Sequence, residues 1–143
     1  MKAMYTAVAT AHGGRQGHVK SDDGMLDLDT VTPKSMGGPG GDGTNPEQLF
    51  AAGYAACFQS AMQFVAGQQK IDASESTVTG HVSIGPNENG PGFMLAVKHV
   101  VTLPKLDQAA AEKLVHDAHA VCPYSNATRG NIEVEFEVTG GAA

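Results

Sequence analysis

Basic side chains are scarce in this sequence of 143 residues, where 9 Lys and Arg stand against 15 Asp and Glu and the formal net charge is -6. Without a basic surplus the surface cannot neutralise many phosphates, so nucleic acid and anionic membranes are poor partners. Apolar runs are short as well: none approaches the ~20 residues of a membrane-spanning helix, and the N-terminus lacks the apolar stretch of a signal peptide. We therefore expect a cytoplasmic protein with no nucleic-acid or membrane partner.

Cysteine is equally scarce, and tryptophan is absent. The two cysteines, Cys57 and Cys122, lie far apart and form no Cys-x-x-Cys unit, and a disulfide-stapled secreted scaffold needs more cysteines in a shorter chain. Lone cysteines in a reducing compartment are most often inert buried side chains. Cys57 falls inside a predicted helix, whereas Cys122 falls at a helix end before Pro123, where the chain turns. They form a redox pair only if the fold brings them together, which sequence spacing does not settle.

The composition favours one ordinary folded unit. Hydrophobic residues make up 41% and charged residues 17%, and the length suits a single domain over residues 1–143. Glycine is unusually frequent, with 18 residues, several of them clustered in the segment 36–43. Neither a Gly-Lys-Ser/Thr sequence nor a Rossmann spacing accompanies this cluster, so we expect a connection and not a phosphate-binding loop.

The hydrophobic pattern predicts an α+β fold. Strands are predicted at residues 5–11, 18–21, 25 to about 33, 76–84, 93–103 and 131–138, with turn residues between the segments. Helices are predicted at residues 46–66 and, after a cap at Asp107, up to about residue 120. This order predicts largely antiparallel sheets with two main helices, of which the first is long and central.

The first helix has clear start signals. Thr44 or Asn45 can cap it, Pro46 suits its first position, and Glu47 suits the positive N-terminal end. No charged residue follows Glu47 until Lys70, so we expect a helix that is buried on most sides. The expected buried stripe is rich in small side chains and consists of Leu49, Phe50, Gly53, Ala56, Cys57, Ser60, Ala61 and Phe64.

Histidines offer an alternative use for Cys122. His116 and His119 lie three residues apart on the second helix and Cys122 follows three further on, and both residue types bind zinc. However, these positions drift by roughly 120° around the helix, and no fourth ligand stands at motif spacing. We therefore expect the two histidines on the polar face of the helix and not at a metal centre.

Two long motifs resemble those of a known family, the organic hydroperoxide resistance proteins. Residues 45–58, NPEQLFAAGYAACF, resemble the motif around the first cysteine of that family, and residues 121–131, VCPYSNATRGN, resemble the motif around the second. The turn GGRQG at residues 13–17 also fits, so the resemblance covers essentially the whole chain in order and length. The related OsmC proteins share the fold and the thiol chemistry, but the second motif is closer to the hydroperoxide resistance branch.

The resemblance implies a thiol peroxidase. In that family the first cysteine attacks the hydroperoxide and the second forms an intramolecular disulfide with the resulting sulfenic acid, roles that correspond to Cys57 and Cys122. The arginine and glutamate of the family correspond to Arg15 and Glu47. The resemblance also implies an organic hydroperoxide substrate, a lipoyl-bearing protein as dithiol reductant, no haem, flavin or metal, and an intertwined homodimer with its active site near the subunit interface.

Physical chemistry is consistent with these roles. The thiolate is the nucleophile, and a permanently charged Arg15 beside Cys57 would favour it over the thiol. Glu47 can hold that guanidinium in a bidentate pair. Apolar side chains near the thiol would suit a bulky organic hydroperoxide, and the candidates are Phe50, Phe58, Met62 and Met94.

Glu47 and Cys57 lie ten residues apart in the predicted first helix. A continuous helix would separate them by about 15 Å along its axis and by roughly 80° around it, so they cannot touch within one chain. Three solutions remain: Arg15 spans the gap, the helix breaks near Gly53, or Glu47 comes from the partner subunit. Because small side chains around Gly53 permit close helix packing, we favour a composite site in an obligatory dimer.

Two other functions stay open. An OsmC-type peroxidase would have the same fold and thiols but broader substrate use, which the relative rates with cumene hydroperoxide and hydrogen peroxide would reveal. A non-enzymatic small-molecule-binding protein would carry two structural cysteines, and it would lose neither thiol quickly to an organic hydroperoxide.

Overall fold

Three α-helices and two three-stranded sheets make up residues 1–141, the part of the chain that this computed structural model describes. The predicted α+β class is confirmed. The chain divides between Leu49 and Phe50 into two compact units, and a single domain over residues 1–143 stays a prediction. In chain order the elements are β1 (Ala9–His12), β2 (His18–Ser21), β3 (Asp27–Asp29), α1 (Pro46–Gln69), β4 (Thr77–Pro86), β5 (Phe93–Leu103), α2 (Gln108–Val121), α3 (Pro123–Thr128) and β6 (Val134–Gly140).

The first unit is built on the antiparallel sheet β1-β2-β3. The tight turn between β1 and β2 depends on glycine, because Gly13 and Gly14 have positive φ angles of 75° and 57°, which other residues rarely adopt. A short 3-10 helix, Gly14–Gln16, follows and carries Arg15. The hairpin predicted at this place is confirmed.

The outer strands β1 and β3 are shorter than predicted. β2 ends at Ser21, which pairs with Ala9, and the chain then turns, with the N–H of Gly24 bonded to the carbonyl of Ser21. Because β2 offers only four residues for pairing, its neighbours cannot extend over the whole of the predicted strands, 5–11 and 25 to about 33.

Helix α1 begins where the sequence predicts. The Asn45 side chain caps it by accepting a 2.8 Å hydrogen bond from the backbone N–H of Gln48, and the helix ends at Gln69, slightly beyond the predicted end. It is uninterrupted at Gly53, so the alternative of a broken helix is wrong. A Cβ on Gly53 would stand 2.8 Å from the hydroxyl oxygen of Tyr124, so glycine here makes room for a neighbouring side chain.

The buried face of α1 differs from the predicted stripe. Phe64 is 60% exposed, and Ala56 and Ser60 are exposed too, although all three belong to that stripe. The helix is apolar or small on several sides, so the periodicity of the sequence does not select one of them. The buried residues are Tyr54, Phe58, Ala61, Met62, Val65 and Ala66.

By length and composition, α1 would also be long and apolar enough to cross a membrane, with a mean hydropathy of 1.2 in its most apolar stretch. The sequence predicted no apolar run that approaches the length of a membrane span, and by length and mean hydropathy α1 departs from that prediction. A core helix commonly has the same length and hydropathy, and Tyr54, Phe58 and Met62 of α1 belong to the hydrophobic core of the second unit.

The second unit contains the sheet β4-β5-β6. β4 and β5 form the predicted antiparallel hairpin, with Val82 opposite Val97, whereas β6 runs parallel to β5. The chain reaches β6 through α2 and α3, and a parallel neighbour requires such a crossover. Three of the four strand pairings are antiparallel, so the predicted pairing holds except at β6.

Helices α2 and α3 lie on either side of Cys122 in the chain. The Asp107 side chain caps α2, as predicted, by accepting a 2.8 Å hydrogen bond from the N–H of Ala110. α3 was not predicted, because its six residues carry no periodic apolar pattern. Pro123 opens α3 at a position where a helix needs no donor N–H.

Candidate active site

The two cysteines lie next to each other in the second unit. The Sγ atoms of Cys57 and Cys122 are 3.9 Å apart, and both thiols are free. Cys57 is half-buried, whereas Cys122 is fully buried at 0% exposure. A disulfide requires about 2.05 Å between the sulfurs, so the two must approach by roughly 1.9 Å. The fold therefore supplies the proximity that sequence spacing left undecided.

Cys122 owes its position to the junction between α2 and α3. It has an extended backbone, with φ -64° and ψ 125°, the conformation that a following proline favours. Its N–H donates to the carbonyl of Ala118 at 2.9 Å, and its own carbonyl accepts from the N–H of Asn126 at 2.9 Å. The cysteine is thus fixed as the C-terminal cap of α2 and the N-terminal cap of α3.

The surroundings of Cys57 disfavour its thiolate on balance. Burial raises the pKa of the Cys57 thiol, and the backbone N–H of Tyr124 opposes this rise. A negative charge on the neighbouring Cys122 would raise that pKa further, since two thiolates at this distance repel each other.

Arg15 and Glu47 form a bidentate ion pair in the first unit. Arg15 Nη1 donates to Glu47 Oε2 and Arg15 Nη2 to Glu47 Oε1, both at 2.7 Å. The hydrogen bonds to the guanidinium hold the pKa of Glu47 below its ordinary value and raise the pKa of Arg15. The side chain of Glu47 is 14% exposed and that of Arg15 33%, so a charged, oriented guanidinium stays partly accessible.

The four residues predicted for the site are thus found as two pairs, Arg15 with Glu47 and Cys57 with Cys122. Among the apolar side chains predicted beside the thiol, Phe58 and Met62 were wrong choices, because both are fully buried in the core and cannot meet a substrate. Phe50 and Met94 lie at the surface of the second unit instead, where they line a pocket of about 470 Å³.

A polar network next to Cys122 was missed by the sequence analysis. Tyr54 Oη lies 2.8 Å from Ser125 Oγ and 3.2 Å from Thr128 Oγ1. His119 Nδ1 lies 2.8 Å from the same Ser125 oxygen. The available signal was spacing, since Tyr54, Ser125 and His119 each lie three residues from a cysteine. Within residues 1–141, no group of three His, Cys, Asp or Glu side chains is arranged to hold a metal ion.

Comparisons with known proteins agree with the motifs. The family model for OsmC-like protein matches residues 38–137. Organic hydroperoxide resistance protein OhrB of Bacillus subtilis is 51% identical over 136 residues, covering 95% of this chain and 98% of that protein. The organic hydroperoxide resistance protein of Xanthomonas axonopodis pv. citri is 52% identical over 134 residues, covering 93% of each.

A solved structure extends this similarity to three dimensions. The crystal structure of an organic hydroperoxide resistance protein from Legionella pneumophila matches with a TM-score of 0.91 and 52% identity, covering 96% of this chain and 99% of that one. The similarity therefore extends over the two sheets and three helices as well as the motifs. The chain belongs to the Ohr/OsmC family and is, within it, similar to the organic hydroperoxide resistance proteins.

Proposed function

We propose that this protein is a thiol peroxidase that reduces organic hydroperoxides to alcohols through Cys57 and Cys122. The observation that carries this proposal is the pair of free thiols 3.9 Å apart, one half-buried and the other fully buried. Membership of the family supports a role in hydroperoxide detoxification and a peroxidase-type activity. The unequal exposure supports these roles, because a peroxide can reach the half-buried Cys57 from solvent more readily than the fully buried Cys122.

The proposed reaction has two steps on the protein. The Cys57 thiolate attacks one peroxide oxygen: an S–O bond forms, the O–O bond breaks, and the leaving alkoxide takes up a proton to become the alcohol. Cys57 is then a sulfenic acid. Cys122 attacks that sulfur, water leaves, and a Cys57–Cys122 disulfide remains. The substrate has gained two electrons, and the two thiols have supplied them.

A dithiol restores the reduced protein. One of its sulfurs attacks the protein disulfide to give a mixed disulfide, and its second sulfur releases the protein and closes the disulfide of the reductant. We propose a lipoyl-type dithiol on a protein as this reductant. The buried position of Cys122 supports a small reductant group that reaches Cys57 first.

We further propose that Arg15, held by Glu47, favours the reactive form of Cys57. Burial raises the pKa of Cys57, so the thiol needs a cation to reach the thiolate form at neutral pH. Arg15 is charged at every physiological pH, and Glu47 fixes its orientation through two hydrogen bonds. The same guanidinium would stabilise charge on the departing alkoxide.

We propose a homodimer as the active form. One exposed side of α1 supports it, since Ala52, Ala56 and Ser60 are small and lie in line with the 60% exposed Phe64. Small side chains allow two helices to approach closely, and an exposed aromatic side chain beside them gains from being covered.

Mass spectrometry after a stoichiometric dose of cumene hydroperoxide tests the function. The reduced protein should lose two hydrogens, and proteolysis should yield a peptide pair joined through Cys57 and Cys122. Cys57→Ser should show no change, and Cys122→Ser should stop at an oxidised Cys57. Unchanged thiols in the parent protein would favour a binding protein, and an equal rate with hydrogen peroxide would favour an OsmC-type peroxidase.

A further inference from the structure

We propose that Tyr54, Ser125 and His119 are positioning residues that hold the resolving Cys122 beside Cys57. This inference rests on the proposed thiol peroxidase function and adds a role to three residues outside the cysteine pair. Tyr54 and Ser125 are fully buried at 0% exposure, so their hydroxyl groups depend on one another, on Thr128 and on His119 for hydrogen bonds. A buried polar network of this kind fixes geometry.

The network joins the two segments that carry the cysteines. Tyr54 precedes Cys57 by one turn of α1, and residues three apart lie on the same side of a helix. Ser125 follows Cys122 by three residues in α3. The 2.8 Å contact between Tyr54 Oη and Ser125 Oγ therefore links α1 directly to the segment that follows Cys122.

His119 ties the same serine to α2. Burial and the charge of Arg129 lower the pKa of His119, so its ring is neutral at pH 7. A neutral ring can accept a hydrogen bond from Ser125 Oγ at Nδ1. The Ser125 and Tyr54 hydroxyl groups share the next hydrogen bond, so the network connects α1 through α3 to α2. Arg129 also donates to the His119 carbonyl. With six residues, α3 is too short to be stable by itself, so these ties fix it.

Positioning matters most in the second step of the reaction. A Cys57 sulfenic acid either condenses with Cys122 or meets a second peroxide and becomes a sulfinic acid that no thiol restores. The outcome depends on how often the sulfurs occupy an attack geometry of about 3–3.5 Å, and they rest at 3.9 Å. A looser Cys122 would slow condensation and leave the attack by Cys57 unchanged.

Tyr54→Phe and Ser125→Ala test this role, because each removes one hydroxyl and keeps the bulk of the side chain. With rising doses of cumene hydroperoxide, mass spectrometry measures the ratio of disulfide to sulfinic acid, and competition kinetics measures the rate of the first attack. Since a lost buried hydrogen bond costs about 1 kcal/mol, we expect the ratio of disulfide to sulfinic acid to fall about fivefold, with the attack rate within about twofold of the parent. In the double variant, the ratio of disulfide to sulfinic acid should fall no further than in either single variant.

Two controls separate positioning from general loosening of the fold. Ser76→Ala removes another nearly buried hydroxyl, one that contacts Gln59 and not the network, and should leave the ratio unchanged. His119→Asn keeps a polar group near Ser125, so its ratio of disulfide to sulfinic acid should stay closer to that of the parent than the ratio in His119→Leu. An unchanged ratio in Tyr54→Phe and Ser125→Ala, or an equal fall in Ser76→Ala, would overturn the inference and leave the peroxidase function standing. If the parent itself formed no disulfide, the proposed function would fail instead.

Discussion

At the residue scale, the proposed chemistry depends on the ionisation of Cys57. Burial raises its pKa, and the N–H of Tyr124 compensates only in part. The bidentate contact with Glu47 raises the pKa of Arg15 and lowers that of Glu47, so both stay charged from mildly acidic pH upward. The thiols would thus supply the sulfur chemistry, and the ion pair would set the pH range in which it works.

Arg15→Ala should slow peroxide attack and move its pH dependence upward. An opposite charge near a thiolate lowers the pKa by about 1–3 units, so its removal should raise the midpoint of the rate profile by about one unit or more and slow attack at pH 7 about tenfold. Attack rates measured from pH 5 to 10 give the midpoint. Lys20→Ala, which removes one positive charge from β2, changes the net charge by the same amount and serves as the control. It should keep the pH profile of the parent. An unshifted midpoint in Arg15→Ala would show that Arg15 does not activate the thiol.

His99 is a second titratable residue with an unusual environment. It is fully buried on β5, stacked on Phe58 at 5.5 Å and edge-on to Tyr54 at 4.3 Å. Neither ring nitrogen has a hydrogen-bond partner among the described residues. Burial lowers its pKa from 6.5 to about 4, and the nearby His119 and His81 contribute to the shift. The folded protein therefore keeps His99 neutral where the unfolded chain would protonate it.

This difference predicts a loss of stability with acid. The unfolded chain binds the proton first as the pH falls through 6.5, so stability is lost between pH 6.5 and about 4 and is level above that window. Because of this difference in proton binding, His99 should make the free energy of unfolding about 2 kcal/mol lower at pH 5 than at pH 7.5. Urea unfolding at one protein concentration measures it in the parent and in His99→Leu, which should lack this part of the pH dependence. Equal pH dependence in both proteins would contradict the prediction.

At the scale of elements, the sequence was informative where local signals decide. The caps at Asn45 and Asp107 and the whole of β5 were predicted, because side-chain oxygens at helix starts and long alternation are strong local patterns. The buried face of α1 was not predicted correctly, because α1 is apolar on several sides and its neighbours in the fold decide which side is buried. The parallel direction of β6 was open for a similar reason, because it follows from the path through α2 and α3.

Gly53 offers a test of how α1 meets the segment of the second cysteine. Its replacement by alanine would add helix propensity of about 1 kcal/mol. However, the new Cβ would lie 2.8 Å from Tyr124 Oη, closer than real contacts allow, and the Tyr124 ring is held by Phe50 and Tyr54. The contact should outweigh the gain in propensity, so the hydroxyl oxygen of Tyr124 is the atom that makes glycine necessary.

Gly53→Ala should therefore destabilise the parent protein by up to about 2 kcal/mol, because an inserted methyl group that clashes costs about 1–3 kcal/mol and the added helix propensity offsets about 1 kcal/mol of it. In a Tyr124→Phe background the clashing oxygen is gone, and the same substitution should be neutral or stabilising by up to about 1 kcal/mol. Chemical denaturation of the four proteins in this cycle gives the coupling energy. Equal effects in both backgrounds would mean that the hydroxyl is not the obstacle.

At the scale of the whole molecule, the site could be predicted only as a set of residues. The motifs named Arg15, Glu47, Cys57 and Cys122 through their resemblance to a family. The 3.9 Å between the sulfurs follows from packing of α1 against the junction of α2 and α3, which no local pattern encodes. The network around Ser125 was missed for the same reason, because its members are 71 and 6 residues from that serine in the chain.

The continuity of α1 bears directly on how the site is assembled. With 24 unbroken residues, the helix keeps Glu47 about 15 Å along its axis from Cys57 of the same chain. Of the three solutions considered from the sequence, a broken helix is wrong, and two remain: Arg15 spans the gap within one chain, or the Arg15–Glu47 pair of one subunit serves Cys57 of the other. We favour the second solution, in which the homodimer is obligatory for activity.

Subunit exchange between two inactive variants distinguishes these solutions. Glu47→Ala keeps the thiols and Cys57→Ser keeps the ion pair, so neither homodimer should turn over. If the site is shared, a mixed dimer contains one intact site, made of Cys57 from one chain and Glu47 from the other. Random exchange then makes half of the dimers mixed, and a symmetric dimer should recover about a quarter of the parent activity. If each chain carries its own site, mixing restores nothing, because every chain lacks one of the two residues. Native mass spectrometry verifies that the subunits have exchanged. If no activity is recovered after complete exchange, the shared site is ruled out.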